Sequence, residues 1–425
     1  MPRAAATRVQ PTARAALAVL TLVNLVNYLD RFVLSALVES LRRSELALSD
    51  AQLGALMTAF MLVYMVASPV FGALADRGAS RPRLLAAGVA VWSLATLLSA
   101  VATSYAGLFL ARAVVGIGEA AYATVAPGLI ADQHPPERRG RAFAVFYAAI
   151  PVGSALGYVL GGLVDQLAGW RAAFLIAALP GLLLAVSAWR LVDPPRGAMD
   201  GAATAPAAGG LAVWARLLRN PRYTATVLGY AAYTFAVGGM AFWMPAFLER
   251  VRGVPRADAT VQFGAIVVAT GLAGTFAGGW LGDLLLRRWR NAYLALAGVA
   301  TLGAVPVAAL VFTAQDRTVW TVALVAAELL LFASTGPINS VIVGVVAPQE
   351  RATAVALSII AIHALGDVPS PWLIGRLSDA SSLRAAVQLV PAAVLVAGVV
   401  WSWAAFRRYP AAVPGARDRP ASPAP

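Results

Sequence analysis

The stretch Gly72-Ala73-Leu74-Ala75-Asp76-Arg77 closes the apolar run 50–75. Two hundred and seven positions later, Gly279-Trp280-Leu281-Gly282-Asp283 closes the run 261–282 in the same way. Other pairs share nearly the same offset. Glu137-Arg138 returns as Glu350-Arg351 and Gly162 as Gly375, both 213 residues on, and Glu119 has Glu328 as its counterpart, 209 on. Offsets that agree within six residues across unrelated residue types mark an internal duplication. The chain is two copies of one unit, in parallel orientation.

The unit is a membrane unit. Of 425 residues, 60% are hydrophobic and 12% charged, and the mean hydropathy is +0.74. A soluble chain of this size needs a polar exterior, whereas a bilayer accepts an apolar one. Each span takes about 20 mostly apolar residues. Runs of that length fall near 15–38, 50–75, 84–103, 106–130, 142–164 and 172–190, and again near 223–248, 261–282, 291–313, 319–346, 352–375 and 385–406. The expected fold is an all-α, polytopic membrane protein with twelve transmembrane helices in two six-helix bundles, 1–192 and 223–409. A Gly/Ala/Pro-rich linker, 193–222, joins them, with a short amphipathic piece near Leu211 to Leu218, and 410–425 is expected to be a disordered cytoplasmic tail. The first run lacks a small-residue cleavage site and reads as a retained helix.

Charge sets the expected orientation. All 33 basic residues are arginine. With the termini and the even-numbered loops on one side, that side carries 22 Arg against 8 acids, and the other 9 Arg against 8 acids. The arginine excess places both termini in the cytoplasm, in a bacterial inner membrane. The net charge of +13 is thus a topology signal, and no nucleic-acid partner is expected. Cysteine is absent and only His134 and His363 are histidine, so no metal site or thiol chemistry is expected. No nucleotide-binding G-x-x-x-x-G-K-[ST] loop occurs, and no nucleophile–base pair points to an enzyme.

Six ionisable residues fall inside spans: Asp30, Arg31, Arg112, Glu119, Glu328 and Asp367. Each costs about 2.5–3.5 kcal/mol at a helix centre on the insertion scale, so they must meet one another or a watery cavity. Asp30 lies roughly 22 Å into the first span and Arg112 roughly 9 Å into the fourth, which runs the opposite way. The two therefore reach similar height, where a pair at about 4 Å gains roughly 4 kcal/mol at an effective dielectric of 20. Glu119 is two turns below Arg112 on one helix face. Its apolar flanks make it a carboxyl that can take up and release a proton as water access alternates, with Arg112 and Asp30 as switchable partners. Arg31 points about 100° away from Asp30, toward an anionic solute group or an outer gate. Glu328 is read as a contact for a cationic amine or as a packing residue, and His363 and Asp367, one turn apart, as a hydrogen-bonded pair.

Asp76 in the 72–77 loop can cap a helix N-terminus of the other half, where free N–H groups and the helix dipole favour a carboxylate. That makes Gly72, Asp76 and Arg77, with Asp283 and Asp367, the expected gating residues. Leu284 replaces the arginine in the second copy, so that latch should be weaker. Gly153, Gly157, Gly161 and Gly162 allow close helix approach. On the seventh span, Tyr230, Phe235, Trp243 and Phe247 either line an acyl-chain pocket or simply pack.

These residues carry a resemblance. Asn27-Tyr28-Leu29-Asp30-Arg31, Gly116-Ile117-Gly118-Glu119-Ala120 with Tyr122 and Ala126-Pro127, the run 150–158, Trp243 with Pro245, and Gly366-Asp367, Ser370-Pro371, Gly375 and Ser378-Asp379 resemble the Spinster branch of the major facilitator superfamily over nearly the whole chain. Arg112-x-x-x-Gly116 also resembles the superfamily's wider proton-antiporter pattern. The resemblance implies an ion-coupled exporter related to transporters of sphingosine-1-phosphate and lysophospholipids. It implies proton coupling at Asp30, Glu119 and Arg112. Solute contacts are expected at Arg31, Tyr28, Asn27, Tyr122, Phe235, Trp243, Glu328 and His363. The expected activity is proton-coupled secondary transport of an amphipathic, lysolipid-like or drug-like solute by a monomer, with membrane lipids as neighbours and no cofactor beyond the proton gradient. Organic-anion/proton symport is the alternative within the class. A lipid scramblase or a non-transporting receptor is the alternative outside it.

Overall fold

A computed structural model describes residues 11–199, 211–346 and 350–407, apart from a few side chains including that of Asp76. Residues 410–425 of the expected tail lie outside the described residues. Among those described, every regular element is helical. They are α1 (Pro11–Ala36), α2 (Val38–Arg43), α3 (Asp50–Asp76), α4 (Arg81–Ala100), α5 (Tyr105–Gln133), α6 (Pro136–Trp189), α7 (Leu211–Arg219), α8 (Pro221–Arg250), α9 (Arg256–Leu286), α10 (Ala292–Thr313), α11 (Arg317–Gly344), α12 (Arg351–Ile362), α13 (Pro369–Ala380), α14 (Leu383–Ala386) and α15 (Leu389–Phe406).

Eleven continuous helical stretches are long and apolar enough to cross a membrane. One of them, Arg138–Trp189, runs for 52 residues, about twice what a bilayer needs. Gly169, at φ 82° and ψ 167°, breaks it. Only glycine takes that conformation without strain, so α6 supplies two spans and the described residues hold twelve. The eleventh is also interrupted. Between α12 and α13 lies a π-helical turn, His363–Asp367, ahead of Pro369 and Pro371, which have no N–H to continue an α-helix. The freed carbonyls find partners elsewhere: Thr234 Oγ1 donates to Ile362 O at 3.1 Å and Thr58 Oγ1 to Val368 O at 2.6 Å. Side chains cap several of the helices. Ser49 and Gln52 form a capping box on α3, and Ser104, Asn220 and Asp316 cap α5, α8 and α11.

Each half packs through glycines. A Cβ at Gly157 would stand 2.5 Å from Leu29 O, and one at Gly153 2.4 Å from Leu25 O, so α6 lies directly on α1. Gly153, Gly157 and Gly161 thus serve packing inside the first bundle. Gly162 faces Thr260 of α9 in the other half.

Among the described residues the halves are bonded to each other mainly on one side. Call the side where α1 begins the near side and the other the far side. On the far side, Asp379 at the end of α13 accepts from the Asp50 and Ala51 backbone N–H groups, both at 2.9 Å. A carboxylate of one half thus caps the N-terminus of α3 in the other. Ser378 donates to Asp50, Arg250 pairs with Asp50 and Glu39, and Arg256 reaches Asp165 at 2.8 Å. Arg43 pairs with Glu249 at 3.1 Å. Gly54 lets the Pro371 carbonyl come so close that a Cβ would stand 2.2 Å away. Among the described residues, the hydrogen bonds and ion pairs between halves all lie on this side or at mid-depth. The structure is thus held together on the far side, and among the described residues no hydrogen bond or ion pair joins the halves on the near side.

Candidate functional site

At mid-depth, α1, α3, α4 and α5 bring four charged side chains together. Asp30 and Arg112 are 1% and 0% exposed and lie 3.3 Å apart. Thr96 of α4 donates to the other Asp30 oxygen at 2.5 Å. Arg31 donates to Glu119 at 2.7 Å. The Arg31 guanidinium also sits over three rings, 5.0 Å from Tyr28, 5.0 Å from Phe60 and 5.5 Å from Tyr64. Arg112 lies over Phe60 and Phe174. Two acids and two arginines, each paired, make the cluster neutral overall. Isolated, any one of them would be expensive at this depth.

The partnership of Arg31 differs from the one read in the sequence. A 100° step along α1 points Arg31 away from Asp30. Side chains on a helix lean toward its N-terminus, and α1 starts on the near side. The long arginine therefore reaches back about one turn to Glu119, while the short Asp30 meets Arg112. The pairs interleave, and several of their atoms are not used up. Glu119 Oε1, Arg31 Nε, Arg112 Nε and Nη2, and Asn27 Nδ2 are buried without a hydrogen-bond partner. Buried polar atoms are seldom left so, and here five of them cluster around the two ion pairs.

The second half contributes a smaller group. His363 Nδ1 and the Asp367 carboxylate lie 2.9 Å apart across the π turn. The His363 ring meets Tyr64 edge-on at 6.2 Å. Tyr64 thus touches Arg31 on one side and His363 on the other, and joins a titratable pair in each half. Glu328 of α11 is 3% exposed, and no hydrogen bond or ion pair to it occurs among the described residues.

Other expected solute contacts fall elsewhere. Tyr122 is buried in the first bundle against Trp92, with its hydroxyl 3.5 Å from Leu20 O. Trp243 is buried, and its Nε1 donates to Pro371 O at 3.0 Å, stitching α8 to α13. Phe235 is half-buried on α8. Of the expected gating residues, Gly72 lies beside Thr124 and Arg77 is exposed. Asp283 accepts from the Tyr293 hydroxyl within its own bundle, and the Asp76 side chain lies outside the described residues. The inter-half cap that the structure does display uses Asp379, on the far side.

Sequence reasoning missed that far-side network, Thr96, and the aromatic box of Phe60 and Tyr64. One signal pointed to the network: arginines and acids nearly balance on the far side and not on the near side. Balanced charge at a rim is what paired gates leave behind.

Twelve spans in two like halves around a buried charge cluster define a secondary transporter of the major facilitator fold. The sequence profile of the Major Facilitator Superfamily matches residues 20–371, and the chain belongs to that family. Within it the chain belongs to the Spinster branch. It is 36% identical over 384 residues to the Bos taurus protein spinster homolog 1, spanning 85% of this chain and 72% of the bovine one. It is 33% identical over 372 residues to the Drosophila melanogaster protein spinster, spanning 85% of this chain and 61% of the fly protein. Among solved structures, a bacterial homologue of the human lysosomal transporter Spinster, in an inward-facing and unoccupied conformation, aligns with a TM-score of 0.81 at 26% identity. That alignment covers 93% of this chain and 96% of the other. A D-xylose–proton symporter shares the fold at a TM-score of 0.71 and 18% identity, over 92% and 96% of the two chains.

Proposed function

We propose that the chain is a proton-coupled transporter of an amphipathic, lysolipid-like or drug-like solute that works by alternating access in a bacterial inner membrane. The arginine excess makes the near side the cytoplasm, so the structure corresponds to an inward-facing state. One observation carries the reading: Asp30–Arg112 and Arg31–Glu119 are interleaved in one buried locus. Protonating Glu119 replaces an ion pair by a neutral acid and releases the Arg31 guanidinium. Through Tyr64 that change reaches His363 and Asp367 in the other half, which gives the bundles a reason to move relative to each other.

In this reading the charge of the solute decides the direction of coupling. A solute amine that pairs with Glu119 cannot coexist there with a proton, so such a solute exchanges against protons. Glu328 in the facing bundle offers a second carboxylate for the same cation. An anionic head group on Arg31 is instead favoured once Glu119 is protonated, which gives co-transport. The unpartnered N–H groups of Arg31 and Arg112 support that second reading.

Vesicle flux separates them. With an imposed pH gradient and lysophosphatidylethanolamine or an organic carboxylate as probe, accumulation against protons supports exchange, and accumulation with them supports symport. Glu119→Gln should abolish the gradient dependence of either. Undiminished gradient-driven flux in that variant would refute the proposed role of Glu119.

A further inference from the structure

The near-side ends of α15 and α6 share a construction that transport does not use. At the end of α15, a surface cavity of about 590 Å³ is lined by Ser402, Trp403, Phe406 and Arg407. The Arg407 guanidinium lies 4.7 Å from the Trp403 ring. The turn entering α10 folds against the same end. Its Trp289 ring is 5.5 Å from Phe406, and Asn291 Nδ2 donates to Ala405 O at 2.8 Å. That turn also carries Arg287, Arg288 and Arg290, all exposed. Among the described residues no carboxylate pairs with these three or with Arg407. On the far side, by contrast, Arg250 and Arg256 are each held by acids.

The first bundle repeats the plan. At the end of α6 a cavity of about 430 Å³ is lined in part by Ala86, Ala185, Trp189 and Arg190. Arg83 lies 5.8 Å from the Trp189 ring. Arg83 and Arg290 are 207 residues apart, and Trp189 and Trp403 are 214 apart, close to the offset of the whole duplication. Below the α15 cavity, Val396, Val399 and Trp403 form an exposed apolar stripe at helical spacing. An unpaired cluster of guanidiniums, a tryptophan wall and an apolar stripe running into the bilayer fit one ligand: a phosphate head group whose acyl chains remain in the membrane. Basic pockets between spans on the arginine-rich side take anionic head groups in this way, and a planar guanidinium matches phosphate oxygens in a bidentate manner.

We infer that the near-side ends of α6 and α15 are paired binding sites for an anionic phospholipid, the α15 site being the stronger because it gathers four arginines. Native mass spectrometry of the full chain in detergent, with phosphatidylglycerol or phosphatidylcholine added, tests it. The natural protein should retain phosphatidylglycerol about tenfold better than phosphatidylcholine, and Arg287→Gln/Arg288→Gln/Arg290→Gln/Arg407→Gln should remove most of that preference. Arg138→Gln/Arg141→Gln, elsewhere on the near side, should keep it. Equal retention of the two lipids by the natural protein overturns the inference. So does an unchanged preference in the fourfold variant, or an equal loss in the control. If the fourfold variant does not purify, Trp403→Ala decides instead: weakened phosphatidylglycerol retention supports the site, and unchanged retention overturns it.

Discussion

Asp30, Arg31, Arg112 and Glu119 hold one another in place. Removing one partner leaves a buried charge alone, which costs about 3–5 kcal/mol. Arg112→Gln should therefore lower thermal stability in detergent markedly, because Asp30 keeps only Thr96. Asp30→Asn/Arg112→Gln together should recover most of the loss, and a melting curve for each variant checks this. A double variant no more stable than the single one would contradict the pairing. At this scale the sequence was readable where geometry was simple. Opposite helix directions put Asp30 and Arg112 at one height, and the structure has them 3.3 Å apart. The Arg31–Glu119 bond was not readable, because a helical-wheel angle leaves out the backward lean and reach of a long side chain. Tyr64 was invisible for a similar reason: one aromatic among many in an apolar run carries no sign of which charged group it faces.

Among elements, span positions were legible to within a few residues, since apolar length is all a bilayer requires. The breaks inside elements were less legible. Gly169 is one glycine of 37, and what distinguishes it, a positive φ inside an otherwise continuous helix, is visible only in the structure. The π turn at His363–Asp367 follows from two nearby prolines together with two threonines that accept the burden of the freed carbonyls, and those threonines come from distant parts of the chain. The far-side cap of α3 by Asp379 is an element-scale device with a measurable value. An N-cap contributes about 0.5–2 kcal/mol, and this one forms only when the halves meet. Asp379→Asn should therefore shift the population several-fold away from the far-closed state. The chain has no natural cysteine, so a single cysteine at Ala55, next to Gly54 on α3 and part-buried, reports the shift as faster labelling by a far-side thiol reagent. Unchanged labelling would remove Asp379 from the latch. Gly54→Leu should act in the same direction through the Pro371 carbonyl, and more strongly, because backbone cannot yield.

For the whole molecule, duplication and charge asymmetry told most of the architecture: two bundles, twelve spans, one arginine-rich side. Conformational state was not in the sequence, because both states must be encoded by the same residues. What distinguishes them is which rim is paired. The far rim has nearly as many acids as arginines and is latched, while the near rim carries an excess of arginine over acids. If Glu119 couples protons to this rocking, the equilibrium between far-closed and far-open forms must respond to pH with no solute present. Spin labels at Thr103→Cys and Gln315→Cys, exposed far-side positions of opposite halves, report that equilibrium as a distance distribution. Coupling through Glu119 predicts that the populations of the natural sequence shift between acid and alkaline pH, and that Glu119→Gln holds one fixed distribution. Populations that ignore pH in the natural sequence, or that titrate alike in both proteins, would contradict it.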